Sequence, residues 1–197
     1  PIANMTYKAM QEERDEGMSE VDKMVTAIEA ILGRHEGRVL VHCTSYALTR
    51  ELYRRVEVGR GRRKFTHEGS GTKDHALNEY LMSEGAVLFT PSMARGVDLA
   101  GDKCRVQVIA KCPFPSLGDK QVSARMHMPG GQQWYAIKTI RDIVQMTGRG
   151  VRSADDECVT YVLDQQFTRN VWGRNKMLFP RYFRDAVDER ADVRWML

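Results

Sequence analysis

The amino-acid sequence predicts an α/β fold: a mainly parallel sheet flanked by helices on both faces. Three observations carry that expectation. Short apolar runs rich in Val, Ile, Leu and Phe recur along the chain, single segments of helical spacing lie between them, and parallel neighbours need such crossovers. With 197 residues, 42% apolar and 28% charged, the chain can bury one sizeable core and shows no sign of disorder or fibrous repeat.

Residues 1–20 read as a polar lead-in or linker. Val21, Met24, Val25, Ile28, Ile31 and Leu32 then recur at helical spacing, with Gly33 as the expected stop. RVLVHCT (38–44) reads as a strand, ALTRELYRRV (47–56) as a helix, KFTHE (64–68) as a strand and DHALNEYLM (74–82) as a helix. AVLFTPS (86–92) and CRVQVIAKCP (104–113) are apolar strand candidates. After a Pro/Gly-rich connection a long helix is expected over 133–152, and CVTYVLD (158–164) is the last strand. The domain is placed at 21–184, with 185–197 as a tail.

No run of about 18 apolar residues is present, and the first residues lack the apolar and basic regions of a secretory signal, so an intracellular, cytoplasmic location without a membrane is expected. The chain begins with Pro1 rather than methionine, which suggests a piece of something longer. Cys43, Cys104, Cys112 and Cys158 form no C-x-x-C pair and fall in apolar runs, so buried thiols rather than a metal site are expected. The five histidines, His35, His42, His67, His75 and His127, are equally scattered. A net charge of +4 is compatible with a polyanionic partner without requiring one. In GRGRRK (59–64), Arg60, Arg62, Arg63 and Lys64 read either as a solvated loop or as phosphate contacts.

In open parallel sheets ligands gather beyond the carboxyl ends of the strands. Three distinctive strings stand there: HCTSY after the first strand, TPSMARGVDLAGD after the third and KCPFPSLGD after the fourth. A fourth, QMTGRGVRS (145–153), ends the long helix. At about 100° per residue Ala136, Ile137, Ile140, Ile143, Val144, Thr147 and Val151 form its expected core face, while Gln145, Gly148, Arg149 and Arg152 share a neighbouring arc. Two planar, permanently charged guanidiniums beside a side-chain-free gap suit a phosphate chain. A solvated face pairing with Asp142 or Asp155 would leave Gly148 unexplained, since glycine costs a helix about 1 kcal/mol relative to alanine.

These residues resemble a known family. Q-x-x-G-R-x-x-R before a strand is similar to motif VI of superfamily 2 helicases, and S/T-x-x-x-x-G-V-D with L-x-G-D to their motif V. The C-P-F-P-S-x-G-D run with Ala124 and Arg125 resembles the corresponding segment of the XPD/DinG group, VLVHCTSY resembles motif IV, and LDQQF…WGR…FP resembles that group's closing motif. The resemblance runs from about residue 36 to 184 in one consistent order. It implies a RecA-like domain of the P-loop NTPase type, the second motor domain of an ATP-dependent 5′–3′ DNA helicase. No G-x-x-x-x-G-K-[ST] and no D-E-x-H string occurs here, so ATP and Mg2+ would be held mainly by an N-terminal motor domain of the same protein, and this chain alone would be inactive. An iron–sulfur cluster, carried by some relatives, is not expected in this chain.

By the resemblance Arg149 and Arg152 take the arginine-finger role with Gln145 orienting them, and Gly96, Asp98 and Gly148 serve ATP binding and its coupling. Ser45, Tyr46, Thr90, Ser92, Arg95 and Arg125 would contact single-stranded DNA. Departures from the group's pattern point elsewhere: A-R-G-V-D is closer to DEAD-box RNA helicases, and Gln165 and Gln166 stand where relatives often carry a basic residue. A stand-alone basic module that holds nucleic acid without chemistry and an RNA-directed helicase domain are the alternatives.

Overall fold

The computed structural model describes residues 1–11, 17–91, 99–153 and 155–189. Five strands, β1 (Val39–His42), β2 (Lys64–Thr66), β3 (Val87–Thr90), β4 (Val106–Ile109) and β5 (Val159–Val162), form one sheet in the order β2-β3-β1-β4-β5. Every pairing is parallel. The fold is thus α/β, with a parallel sheet flanked by helices, as expected. Every residue of β1, β3 and β4 is buried, which is why these strands read as largely apolar runs: both faces are covered.

Helices α2 (Glu20–Arg34) and α3 (Tyr46–Arg55) cover one face, where Met24, Ile28, Ile31, Leu48 and Leu52 pack on Val39, Val41, Phe89 and Val108. Helix α2 begins where Ser19 and Asp22 cap each other reciprocally: Asp22 N donates to Ser19 Oγ (3.1 Å) and Ser19 N to Asp22 Oδ2 (2.8 Å). Helices α4 (Ser70–Met82) and α6 (Gly131–Thr147) cover the other face. Ala76 and Tyr80 meet Leu40 and Leu88 there, and Ile140, Ile143 and Met146 meet Ile109, Phe167, Trp172 and Phe179.

Several elements depart from the sequence expectation. Ile2, Ala3 and Met5, within the polar lead-in, are buried; Ile2 N donates to Leu163 O at 2.8 Å and Gln165 N to Ala3 O at 2.7 Å, so the segment lies alongside the end of β5. A five-residue helix, α1 (Tyr7–Gln11), follows it. Helix α5 (Lys120–Met126) buries no residue, so it has no apolar period to announce it; Asp119 Oδ1 starts it by accepting from Gln121 N (2.8 Å). Beyond β5 a π-helical turn (Phe167–Trp172) and two short helices, α7 (Gly173–Asn175) and α8 (Arg181–Ala186), close the domain around Trp172, Phe179 and Phe183.

Of the GRGRRK cluster, Arg60 and Arg63 are exposed, whereas Arg62 and Lys64 are taken up by main-chain carbonyls. Arg62 donates to the carbonyls of Gly85 (2.7 Å), Leu32 (2.9 Å), His35 (2.7 Å) and Gly37 (2.9 Å), satisfying the end of α2 and the turn before β3. Lys64 Nζ caps α3 through Val56 O (2.9 Å), and Arg63 pairs with Glu79. All three lie at the amino end of the sheet, opposite the strand ends expected to hold the site.

Candidate nucleotide and nucleic-acid interface

The register aligns His42 with Thr90 on one side and Ile109 on the other, so the strings that follow β1, β3 and β4 leave the sheet side by side. After β1 the chain turns sharply. Thr44 adopts φ +62°, a conformation rare for a β-branched residue. Ser45 then caps α3, its Oγ accepting from Leu48 N at 3.3 Å, and Tyr46 emerges with 44% of its surface exposed.

The Tyr46 ring meets His67 edge-on, centroids 6.2 Å apart. His67 Nδ1 faces the carbonyl oxygen of Gly69 (3.1 Å), which only accepts, so Nδ1 carries the proton in the neutral ring and Nε2 accepts from the Thr90 hydroxyl (2.9 Å). Thr90 is fully buried. Its hydroxyl, expected from the sequence to meet nucleic acid, donates to His67 here. His67 escaped the sequence reading because its partner is contributed by another strand.

Ser92, Arg95, Gly96 and Asp98 lie outside the described residues. The chain returns at Leu99, whose N–H donates to Arg149 O at 3.3 Å, fastening the end of that string to the turn that carries Arg149.

That turn differs from the expected helix over 133–152. Helix α6 ends at Thr147, and Gly148–Gly150 forms a single tighter turn. Thr139, Ile140, Ile143 and Met146 are the buried face, whereas Ile137 and Val151, expected in the core, are 45% and 42% exposed. The common helical arc therefore does not extend to Arg152. Gln145, Gly148 and Arg152 are exposed and Arg149 is partly buried. The glycine that packing demands is Gly150: a Cβ there would lie 2.4 Å from Cys158 Sγ and 2.7 Å from Cys104 O, while one on Gly148 would meet nothing within 4 Å. Arg152 N and Ser153 N both donate to Asp156 Oδ2 at 2.8 Å, and Asp142 pairs with Lys138.

Beneath the turn runs a buried polar connection. Gln107 Nε2 donates to Thr147 O (3.0 Å), so its Oε1 faces His42 Nε2 (3.0 Å), which must donate. Burial, with a contribution from the nearby Arg149 charge, pulls the His42 imidazole down to about 4, keeping it neutral. Arg149 thus stands beside an uncharged group.

Arg125 is exposed and lies over the Trp134 ring, 4.4 Å from its centroid. Phe114 stacks on Tyr135 (5.9 Å), and Tyr135 OH donates to Pro115 O (2.8 Å), fixing the CPFP string to α6. Asp164, raised by burial above the usual carboxylate range, accepts from Cys112 N (2.9 Å) and Gln166 N (2.9 Å). Among the described residues no group of three or more His, Cys, Asp or Glu is placed to hold a metal ion, and no helix is long and apolar enough to cross a membrane.

The helicase C-terminal domain family matches residues 28–185. The chain is 27% identical over 158 residues to the ATP-dependent DNA helicase YoaA of Escherichia coli, covering 77% of this chain and 25% of that protein, and 25% identical over 165 residues to YoaA of Haemophilus influenzae, covering 79% and 25%. ATP-dependent DNA helicase CHL1 of Candida glabrata is 23% identical over 131 residues, 53% of this chain and 16% of that one. The chain thus spans about a quarter of the length of the first two. Among solved structures, an XPD helicase superposes with a TM-score of 0.63 at 18% identity, over 89% of this chain and 32% of that chain. S. tokodaii Xpd4 superposes with 0.59 at 15%, over 83% and 33%. With the motif order, the parallel sheet and the family match in agreement, the chain belongs to the helicase C-terminal domain family, as a C-terminal domain of the XPD/DinG type.

Proposed function

We propose that this chain is the second motor domain of an ATP-dependent DNA helicase that moves 5′ to 3′ on single-stranded DNA. The observation that supports it most is the anchoring of the Gly148–Gly150 turn from two sides: by Leu99 N on Arg149 O, and by Gln107, which joins Thr147 O to His42 at the end of β1. One short turn is thereby linked to both strings that, in this reading, meet nucleic acid.

The residues present fit the supporting half of a nucleotide site. Arg149 stands on the turn and Arg152 follows it two residues on, while the loop that cradles phosphates belongs to an N-terminal motor domain of the same protein. ATP with Mg2+ supplies a phosphoanhydride whose cleavage spreads negative charge over the departing oxygens. Arg149 and Arg152 present permanently charged forks to that charge, with Gln145 orienting them and Gly148 leaving the approach open. Gly96 and Asp98 couple this turn to the strand contacts. Ser45, Tyr46, Ser92, Arg95 and Arg125 contact single-stranded DNA, the exposed Tyr46 ring and the Arg125–Trp134 pair offering surfaces on which bases stack.

The test is kinetic, in the full-length protein. Arg149→Ala or Arg152→Ala should lower kcat for DNA-stimulated ATP turnover by roughly two orders of magnitude or more, because such a group acts on charge that appears only in the transition state. DNA binding without nucleotide should hold, and lysine should rescue poorly. Wild-type kcat in Arg149→Ala overturns the reading. The 197-residue chain alone should hydrolyse no ATP above background.

A further inference from the structure

Strand β2 is an outer strand of the sheet and pairs with β3 alone. Val87 N donates to Arg63 O at 2.9 Å, and the register runs Lys64↔Val87, Phe65↔Leu88, Thr66↔Phe89. Successive residues of a parallel strand turn their amide groups to opposite sides. Arg63 O and the Phe65 amide groups therefore face β3, and those of Lys64 and Thr66 face outward. Among the described residues nothing bonds these outward N–H and C=O groups. The Thr66 hydroxyl is enclosed and also without a partner.

A cavity of about 420 Å³ follows this edge. Tyr53 of α3 lines it beside Lys64, and Ala76 and Glu79 of α4 line it beside Phe65. Since α3 and α4 cover opposite faces of the sheet, a space that touches both lies along the outer side of the strand. Outer strands are often guarded by a lysine that projects across the free ladder. Lys64 gives no such cover: its Nζ donates to Val56 O at 2.9 Å and lies over the Tyr53 ring, 5.1 Å from the centroid.

The edge dictates the chemistry of what fits it. A peptide backbone presents donors and acceptors in alternation at the spacing of the strand's own amides. Charge narrows the choice further. The Glu68 carboxylate on the cavity wall is exposed and meets no described cation, and Glu79 holds only the exposed Arg63, at 3.4 Å. Two carboxylates repel a phosphate backbone and suit Lys or Arg. We propose that the outer edge of β2 docks an extended, basic peptide segment of a partner protein, which joins the sheet as a sixth strand. Strands β3 and β1 separate this edge from β4, where Gln107 holds the Gly148–Gly150 turn, so docking is testable apart from the proposed ATP chemistry.

The probe is a random heptapeptide library displayed on phage and panned against the 197-residue chain. The peptides recovered should alternate β-branched residues with Lys or Arg. With one such synthetic peptide bound, site-resolved amide exchange should slow at Lys64 and Thr66, while Phe65, already facing β3, barely changes. Thr66→Pro removes an outward N–H and no ladder bond, a change that outer strands accept, and should weaken binding about tenfold or more while circular dichroism reports a folded chain. Glu68→Gln should weaken binding about threefold, an effect that salt removes. N-methylation of alternate peptide amides reads the same ladder without altering the protein: one set of methyl groups should abolish binding and the other should spare it. The proposal is overturned if panning returns no binder, if binders tolerate N-methylation at every position, or if exchange at Lys64 and Thr66 is unchanged. It is overturned equally by concentration-dependent dimerisation that Thr66→Pro abolishes, which would give the edge to a second copy of this chain.

Discussion

His42 Nε2 donates to Gln107 Oε1 at 3.0 Å between the adjacent strands β1 and β4, which are otherwise built of Val, Leu and Ile. Because the Gln107 amide reaches on to Thr147 O, the pair ties the end of β1 to the last residue of α6.

Gln107→Leu should therefore cost more than the loss of one hydrogen bond. It leaves the His42 N–H and the Thr147 carbonyl unsatisfied in a dry region, about 1–3 kcal/mol for each group so stranded. Thermal denaturation of the chain should show a fall of several degrees, given about 2–4 °C per kcal/mol for a domain of this size. An unchanged melting temperature would show the connection to be energetically idle.

The same imidazole predicts a pH dependence. The folded value of His42 is lowered from 6.5 to about 4, so the unfolded chain binds the proton more tightly. Stability should be fully present above about 6.5 and be lost as pH falls toward 4, by on the order of 3 kcal/mol from this group. His35 is lowered as well and contributes in the same direction. Denaturant titrations of wild type and His42→Asn across pH 4–7 separate the two: the variant should show a clearly shallower slope, and equal slopes would remove His42 as the cause.

Two glycines two residues apart should respond oppositely to alanine. At Gly150 the new Cβ has no room against Cys158 and the Cys104 carbonyl, and overpacking of this kind typically costs about 1–3 kcal/mol. At Gly148 the space is open and φ is −72°, so alanine should be neutral or stabilising by up to about 1 kcal/mol. Equal effects in equilibrium unfolding would contradict the packing of this turn.

Thr44 holds a left-handed conformation that costs a β-branched residue about 1–2 kcal/mol. Thr44→Gly should relieve that strain and raise or preserve the melting temperature despite glycine's freer unfolded state. In the full-length protein it should weaken single-stranded DNA binding, because the turn then aims Ser45 and Tyr46 less firmly. Tighter binding would reverse the role given to the strain.

The strands were legible because β1, β3 and β4 are covered on both faces and so are mostly apolar. The extent of α6 was not, since Gly148, Arg149, Gly150 and Val151 continue a helical rhythm that only a tertiary contact interrupts, the seat of Gly150 on Cys158. Ser45, Tyr46, Arg149 and Arg152 could be singled out locally. His42, Gln107 and His67 could be noticed only as lone polar residues in or beside apolar runs; their pairings depend on a strand register that no local pattern contains. Helix α5 buries no residue fully, so no strong apolar periodicity marked it.

The four carbonyls gathered by Arg62 bear on how a mutational scan of this domain would be interpreted. Scored by DNA affinity, Arg62→Ala would register as a severe hit within a basic string and invite assignment as a phosphate ligand. Its loss would come from a smaller folded fraction, so the salt dependence of binding by the molecules that remain folded would keep the wild-type slope. Removing a true phosphate contact would instead lower that slope by about one. Scans in which positive charge stands as a proxy for nucleic-acid contact would therefore rank the amino end of this sheet too high, and a salt titration corrects the ranking where a single-condition affinity does not.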